Sequence, residues 1–85
     1  MEQTKEQLFA QLVRRHKSTI YSICYMFSSD KEEVADLFQD ILIRLWEGYD
    51  TFRGESKEST WIYRVSMNTC ISADRKRKSR GERVP

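Results

Sequence analysis

At 85 residues the chain holds one small domain at most, and its stability margin is thin because so short a chain buries only roughly 60–65% of its unfolded surface. The net charge of +2 conceals an asymmetry: residues 1–60 hold eight Lys/Arg against eleven Asp/Glu (−3), and residues 61–85 hold seven against two (+5). The basic end predicts attraction to a polyanion and the acidic part a second, different partner. No apolar run approaches the roughly 18 residues of a transmembrane helix, and the first five residues lack the layout of a signal peptide, so the expected location is cytoplasmic. Cys24 and Cys70 are widely separated and have no metal-like spacing; they are expected as buried small apolar groups rather than a disulfide or redox pair.

Apolar residues recur at helical spacing throughout, and no strand-like alternation persists. The expected fold class is therefore all-α, a compact three-helix bundle. The first helix is predicted over residues 4–27, with Leu8, Phe9, Leu12, Val13, Ile20, Ile23, Cys24 and Phe27 on its apolar face. His16 falls near the middle of that face. No Cys, Asp or second His stands near it in sequence, so it reads as a packed histidine with a satisfied ring nitrogen.

Ser28-Ser29-Asp30 breaks the pattern. Asp30 suits an N-cap, and Glu33 three residues on can complete a capping box. The second helix is predicted over residues 31–49, with Val34, Leu37, Phe38, Ile41, Leu42, Leu45 and Tyr49 toward the core. Gly48 and Gly54 bracket a short irregular stretch, and residues 50–58 read as a polar loop. Ser56 or Ser59 can cap a third helix running to about residue 78. The domain is thus expected over residues 1–78, with residues 79–85 as the start of a flexible linker.

The third helix has two opposed faces. Trp61, Arg64, Asn68, Ser72 and Arg75 step by three or four along one side, and Ile62, Val65, Thr69 and Ala73 lie opposite. An indole, two guanidiniums, an amide and a hydroxyl suit base stacking, phosphate pairing and hydrogen bonds to base edges. Arg75, Lys76, Arg77, Lys78, Arg80 and Arg83 form a basic tail. The aromatic start of the stripe, beside a loop, favours single-stranded or distorted DNA over a major-groove helix. A solvated polar face, with Trp61 in the core at the loop–helix corner, is the competing reading.

The second helix carries an outward stripe of Asp36, Gln39, Asp40, Ile43 and Glu47, flanked by Trp46. Like charges at i, i+4, here Asp36 and Asp40, oppose helix formation. An acidic rim around an isoleucine and a tryptophan suits docking to a basic helix of another protein; a merely solvated face is the alternative. An enzyme is not expected. The sequence offers no Gly-rich phosphate loop, no His paired with a nucleophile and no metal-ligand cluster, so no cofactor or metal is expected.

From Glu33 to Arg77 the chain resembles the second conserved region of bacterial sigma factors, most nearly the extracytoplasmic-function (ECF) class. The resemblance rests on Asp36-Leu37-Phe38-Gln39-Asp40 with Leu45-Trp46, Tyr49 to Ser56, Thr60 to Val65, Asn68, and Asp74-Arg75 with Arg77. It implies a subunit of RNA polymerase acting in transcription initiation. Asp36, Gln39, Asp40, Ile43, Trp46 and Glu47 would dock on the clamp helices of the polymerase β′ subunit. Phe52, Arg53, Trp61, Arg64, Asn68, Ser72, Arg75, Lys76 and Arg77 would meet the promoter's minus-ten element, capturing a flipped non-template-strand base and helping to melt the duplex. An inhibitory anti-sigma factor is a common partner in that family, and a monomer is expected.

Three departures stand out. Glu58 occupies a position usually apolar or aromatic, where a carboxylate would repel phosphate. Ser66-Met67 replaces a frequent small-Arg pair. The family's second, helix-turn-helix domain is absent, which suggests a fragment of a longer protein. Two rival functions are a helical module that occupies the clamp helices without reading DNA, and a generic basic nucleic-acid-binding bundle.

Overall fold

The computed structural model describes residues 2–52 and 57–79. They form three helices, α1 (Lys5–Phe27), α2 (Lys31–Phe52) and α3 (Glu58–Ser79), each packed on the other two. No strand occurs among the described residues. None of the helices is long and apolar enough to cross a membrane, and no group of residues able to hold a metal ion occurs among them.

α1 starts at a capping box. The Thr4 hydroxyl accepts the Gln7 N–H at 3.1 Å, and the Gln7 side chain accepts the Thr4 N–H at 3.0 Å, which satisfies two otherwise unpaired donors. The helix ends where Ser28 turns extended, its N–H still reaching the Cys24 carbonyl at 3.2 Å. Asp30 then caps α2 as expected, its carboxylate accepting the Glu32 N–H at 3.0 Å. The expected capping box is not formed. Glu33 pairs with Arg77 of α3 instead, because a guanidinium offers a carboxylate a stronger, charge-assisted bond than a backbone amide does.

α2 continues past residue 49 to Phe52, so Gly48 lies inside a helix rather than at its edge. The added turn is held by tertiary contacts: Asp50 accepts from Lys5 Nζ at 3.1 Å, and Phe52 stacks on Trp61. Helix propensity alone does not register such contacts. α3 begins at Glu58, and the Trp61 N–H donates to the Lys57 carbonyl at 3.0 Å. Ser59 therefore sits within the first turn and is not the cap; Ser56, the other candidate, lies outside the described residues, as do Arg53, Gly54 and residues 80–85.

Leu12, Ile20, Ile23 and Cys24 of α1, Val34, Leu37, Ile41 and Leu45 of α2, and Ile62 and Cys70 of α3 make the core. Phe9, Val13, Phe27, Phe38, Leu42, Tyr49, Val65 and Ala73 pack around it. Leu8 was expected inward but is 39% exposed, one turn from the helix start. Tyr21 and Phe38 stack at 4.3 Å and lock α1 to α2. α3 contributes small groups to the interior: Ser66 and Thr69 are buried beside Cys70. The Thr69 hydroxyl donates to the Val65 carbonyl at 2.7 Å, whereas Ser66 Oγ has no partner. Burial pushes both thiols up, Cys70 to about 12 with the nearby Cys24 adding to the shift; both are free.

Two candidate binding surfaces

The acidic stripe of α2 points outward as the periodicity requires. Asp36, Gln39, Asp40, Ile43 and Glu47 are all exposed, Ile43 at 56%. No salt bridge engages Asp36, Asp40 or Glu47 among the described residues. Trp46 is half-buried at the border of this stripe. Its ring meets the edge of Phe9 at 5.1 Å and carries Lys5 Nζ 4.1 Å above it, so the indole is anchored to α1 while part of it stays open. The result is an apolar, acid-rimmed patch on a convex helix face. That geometry suits a partner helix and offers no cleft for a small substrate.

The stripe of α3 divides into three parts. Arg64, Asn68 and Arg75 are exposed, and no interaction engages their side chains among the described residues. Ser72 is half-buried and Lys76 is exposed. Arg77 is held by Glu33 and, at 3.0 Å, by Asp74, which also accepts Lys78 at 3.3 Å, so part of the basic tail is already neutralised. Trp61 does not lead the outward row. It is half-buried, parallel to Phe52 at 4.3 Å and 7°, and tilted against Tyr49 at 6.4 Å. Burying an indole against two rings outweighs leaving it in water. The outward row therefore starts at Arg64, beside a ring stack that closes the end of the bundle. Arg53 lies outside the described residues.

Glu58, Arg15 and His16 form a cluster that sequence reasoning missed. The Glu58 carboxylate accepts Arg15 Nε at 3.1 Å and Nη2 at 2.9 Å, a two-pronged bond, and His16 Nε2 lies 2.5 Å away. The Arg15 hydrogen bond holds the Glu58 carboxyl below its usual range, against a smaller opposing effect of burial. His16 is thus a packed histidine with a satisfied nitrogen, as expected, but its partner comes from another helix. The carboxylate that seemed set to repel phosphate is turned toward α1 and matched by a guanidinium. No signal within the chain could reveal this, because the partners lie 42 and 43 positions apart.

The all-α bundle thus presents an acidic, partly apolar patch on one helix and a polar-cationic row on another. Residues 12–80 match the family model of sigma-70 region 2. The chain belongs to that family, in its ECF class. Among its relatives, the ECF RNA polymerase sigma factor SigW of Bacillus subtilis is 36% identical over 73 residues, covering 86% of this chain and 39% of that protein. SigG of Mycobacterium tuberculosis is 32% identical, covering 76% of this chain and 18% of the relative. SigX of Bacillus subtilis is 29% identical, covering 93% and 41%. The chain therefore spans less than half the length of these relatives. No solved structure matches it.

Proposed function

We propose that this chain is the polymerase-docking and promoter-melting domain of an ECF sigma factor. Asp36, Gln39, Asp40, Ile43, Trp46 and Glu47 grip the β′ clamp helices. Phe52, Arg53, Trp61, Arg64, Asn68, Ser72, Arg75, Lys76 and Arg77 meet the non-template strand of the minus-ten element. It acts as a binding module beside the polymerase in the cytoplasm, not as a catalyst, and both surfaces are available to an anti-sigma factor. The observation that carries this reading is the coexistence, on one small bundle, of an acidic patch around exposed Ile43 and a row of Arg64, Asn68 and Arg75, neither engaged in an ion pair among the described residues.

Unstacking a base costs a few kcal/mol, and about 1–3 kcal/mol per base returns when it stacks on an aromatic ring. The guanidiniums add salt-sensitive attraction to phosphate. The test is a titration against a purified β′ clamp-helix fragment, with Asp40→Arg alongside. Saturable binding abolished by the charge reversal supports docking. No binding at high micromolar concentration by a folded domain removes it, and leaves a generic nucleic-acid-binding bundle. Promoter reading is tested with single-stranded minus-ten DNA: unchanged affinity in Asn68→Ala removes that residue's role.

A further inference from the structure

Glu58 opens α3, and Trp61 stands three positions on, within the same first turn. The carboxylate binds α1 through Arg15 and His16, while the indole lies flat on Phe52, the last residue of α2. The start of α3 is therefore fixed from two sides, by charge to α1 and by stacking to α2. A first helical turn is otherwise the least constrained part of a helix, because its amides have no intrahelical acceptors. A carboxylate there also complements the positive end of the helix dipole.

We propose that Glu58, acting through Arg15 and His16, is a positioning residue for base capture: the clamp sets the start of α3 so that Trp61 and Phe52 are held where a single strand meets the domain. This rests on the DNA-reading role proposed above. Arg15 is over half exposed and Glu58 about a third, so water screens the pair and its effect on global stability is small. The signature is a loosened Trp61 together with weaker DNA binding.

Simple electrostatics predicts the opposite sign. If Glu58 were only a negative charge near the strand, its removal would tighten DNA binding.

The experiment uses the whole chain with Trp46→Phe, so that Trp61 is the single tryptophan. Glu58→Ala, Glu58→Gln and Arg15→Ala are compared by acrylamide quenching of Trp61 and by anisotropy with a labelled single-stranded oligonucleotide pool carrying randomised positions. The expected result is greater quenching of Trp61 and up to about fivefold weaker oligonucleotide binding, the most that a water-screened ion pair can contribute. The urea midpoint should fall only slightly, Arg15→Ala should add little on top of Glu58→Ala, and the exchanged pair Arg15→Glu with Glu58→Arg should recover part of the shielding. Tighter oligonucleotide binding by Glu58→Ala, or Trp61 quenching that ignores Glu58, overturns the proposal. Failure of the unsubstituted chain to bind the pool overturns the DNA reading instead; the quenching arm needs no DNA and still decides whether Glu58 positions Trp61.

Discussion

Phe52 and Trp61 lie parallel at 4.3 Å, one ending α2 and the other in the first turn of α3, so the connection between the two helices is closed by a ring stack. The stack continues inward through Tyr49 to Phe9 and from there to Trp46. Aromatic contacts thus run from the border of the acidic patch to the root of the polar-cationic row.

Truncation of this stack should destabilise the bundle measurably. Phe52→Ala removes a half-buried ring and its stacking contact with Trp61, with an expected loss of about 1–2 kcal/mol in urea unfolding. Phe52→Leu retains most of the apolar contact and should lose about half as much. A loss near zero in Phe52→Leu would show that stacking contributes nothing beyond area.

Glu58 should make stability pH-dependent on the acid side. Its folded pKa lies below the ordinary value near 4.5, so the folded form binds its proton less readily than the unfolded chain does. The stability it contributes is complete above the ordinary value and is lost as pH falls through the lowered one. The difference in unfolding free energy between the unsubstituted chain and Glu58→Gln should be constant from pH 7 down to about pH 5 and shrink below it. A difference that grows toward low pH would contradict the clamp.

Ser66 offers a stabilising substitution. Its hydroxyl is fully buried without a partner, which carries a desolvation penalty with no returning bond. Ser66→Ala should raise stability by up to about 1 kcal/mol, read as a higher thermal midpoint. A fall of similar size would mean that the oxygen has a bonded partner in solution.

The two thiols should react only through opening of the bundle. Both are buried and raised above their ordinary pKa, Cys70 to about 12, so thiolate is scarce and shielded. Labelling with a disulfide reagent at pH 8 should be slow for the native chain and rapid, at two thiols per chain, in urea. Fast labelling without denaturant would contradict the packing of α3 on α1.

The sequence by itself determined the three helices, their helical apolar stripes and the outward acidic row, because these follow from local periodicity and from caps such as Asp30. Arg64, Asn68 and Arg75 were legible for the same reason: exposure on a helix is set by phase. The surroundings of Glu58, the destination of Glu33 and the inward lie of Trp61 were decided only by the tertiary structure. Each depends on a partner more than 40 positions away or on another helix, as with Arg15, His16, Arg77 and Phe52. The length of α2 belongs with them. Residues 50–52 look like loop when weighed by propensity, and they are helical because Asp50 finds Lys5 and Phe52 finds Trp61. Local pattern states which side chains face inward; only the assembled bundle states which inward groups meet.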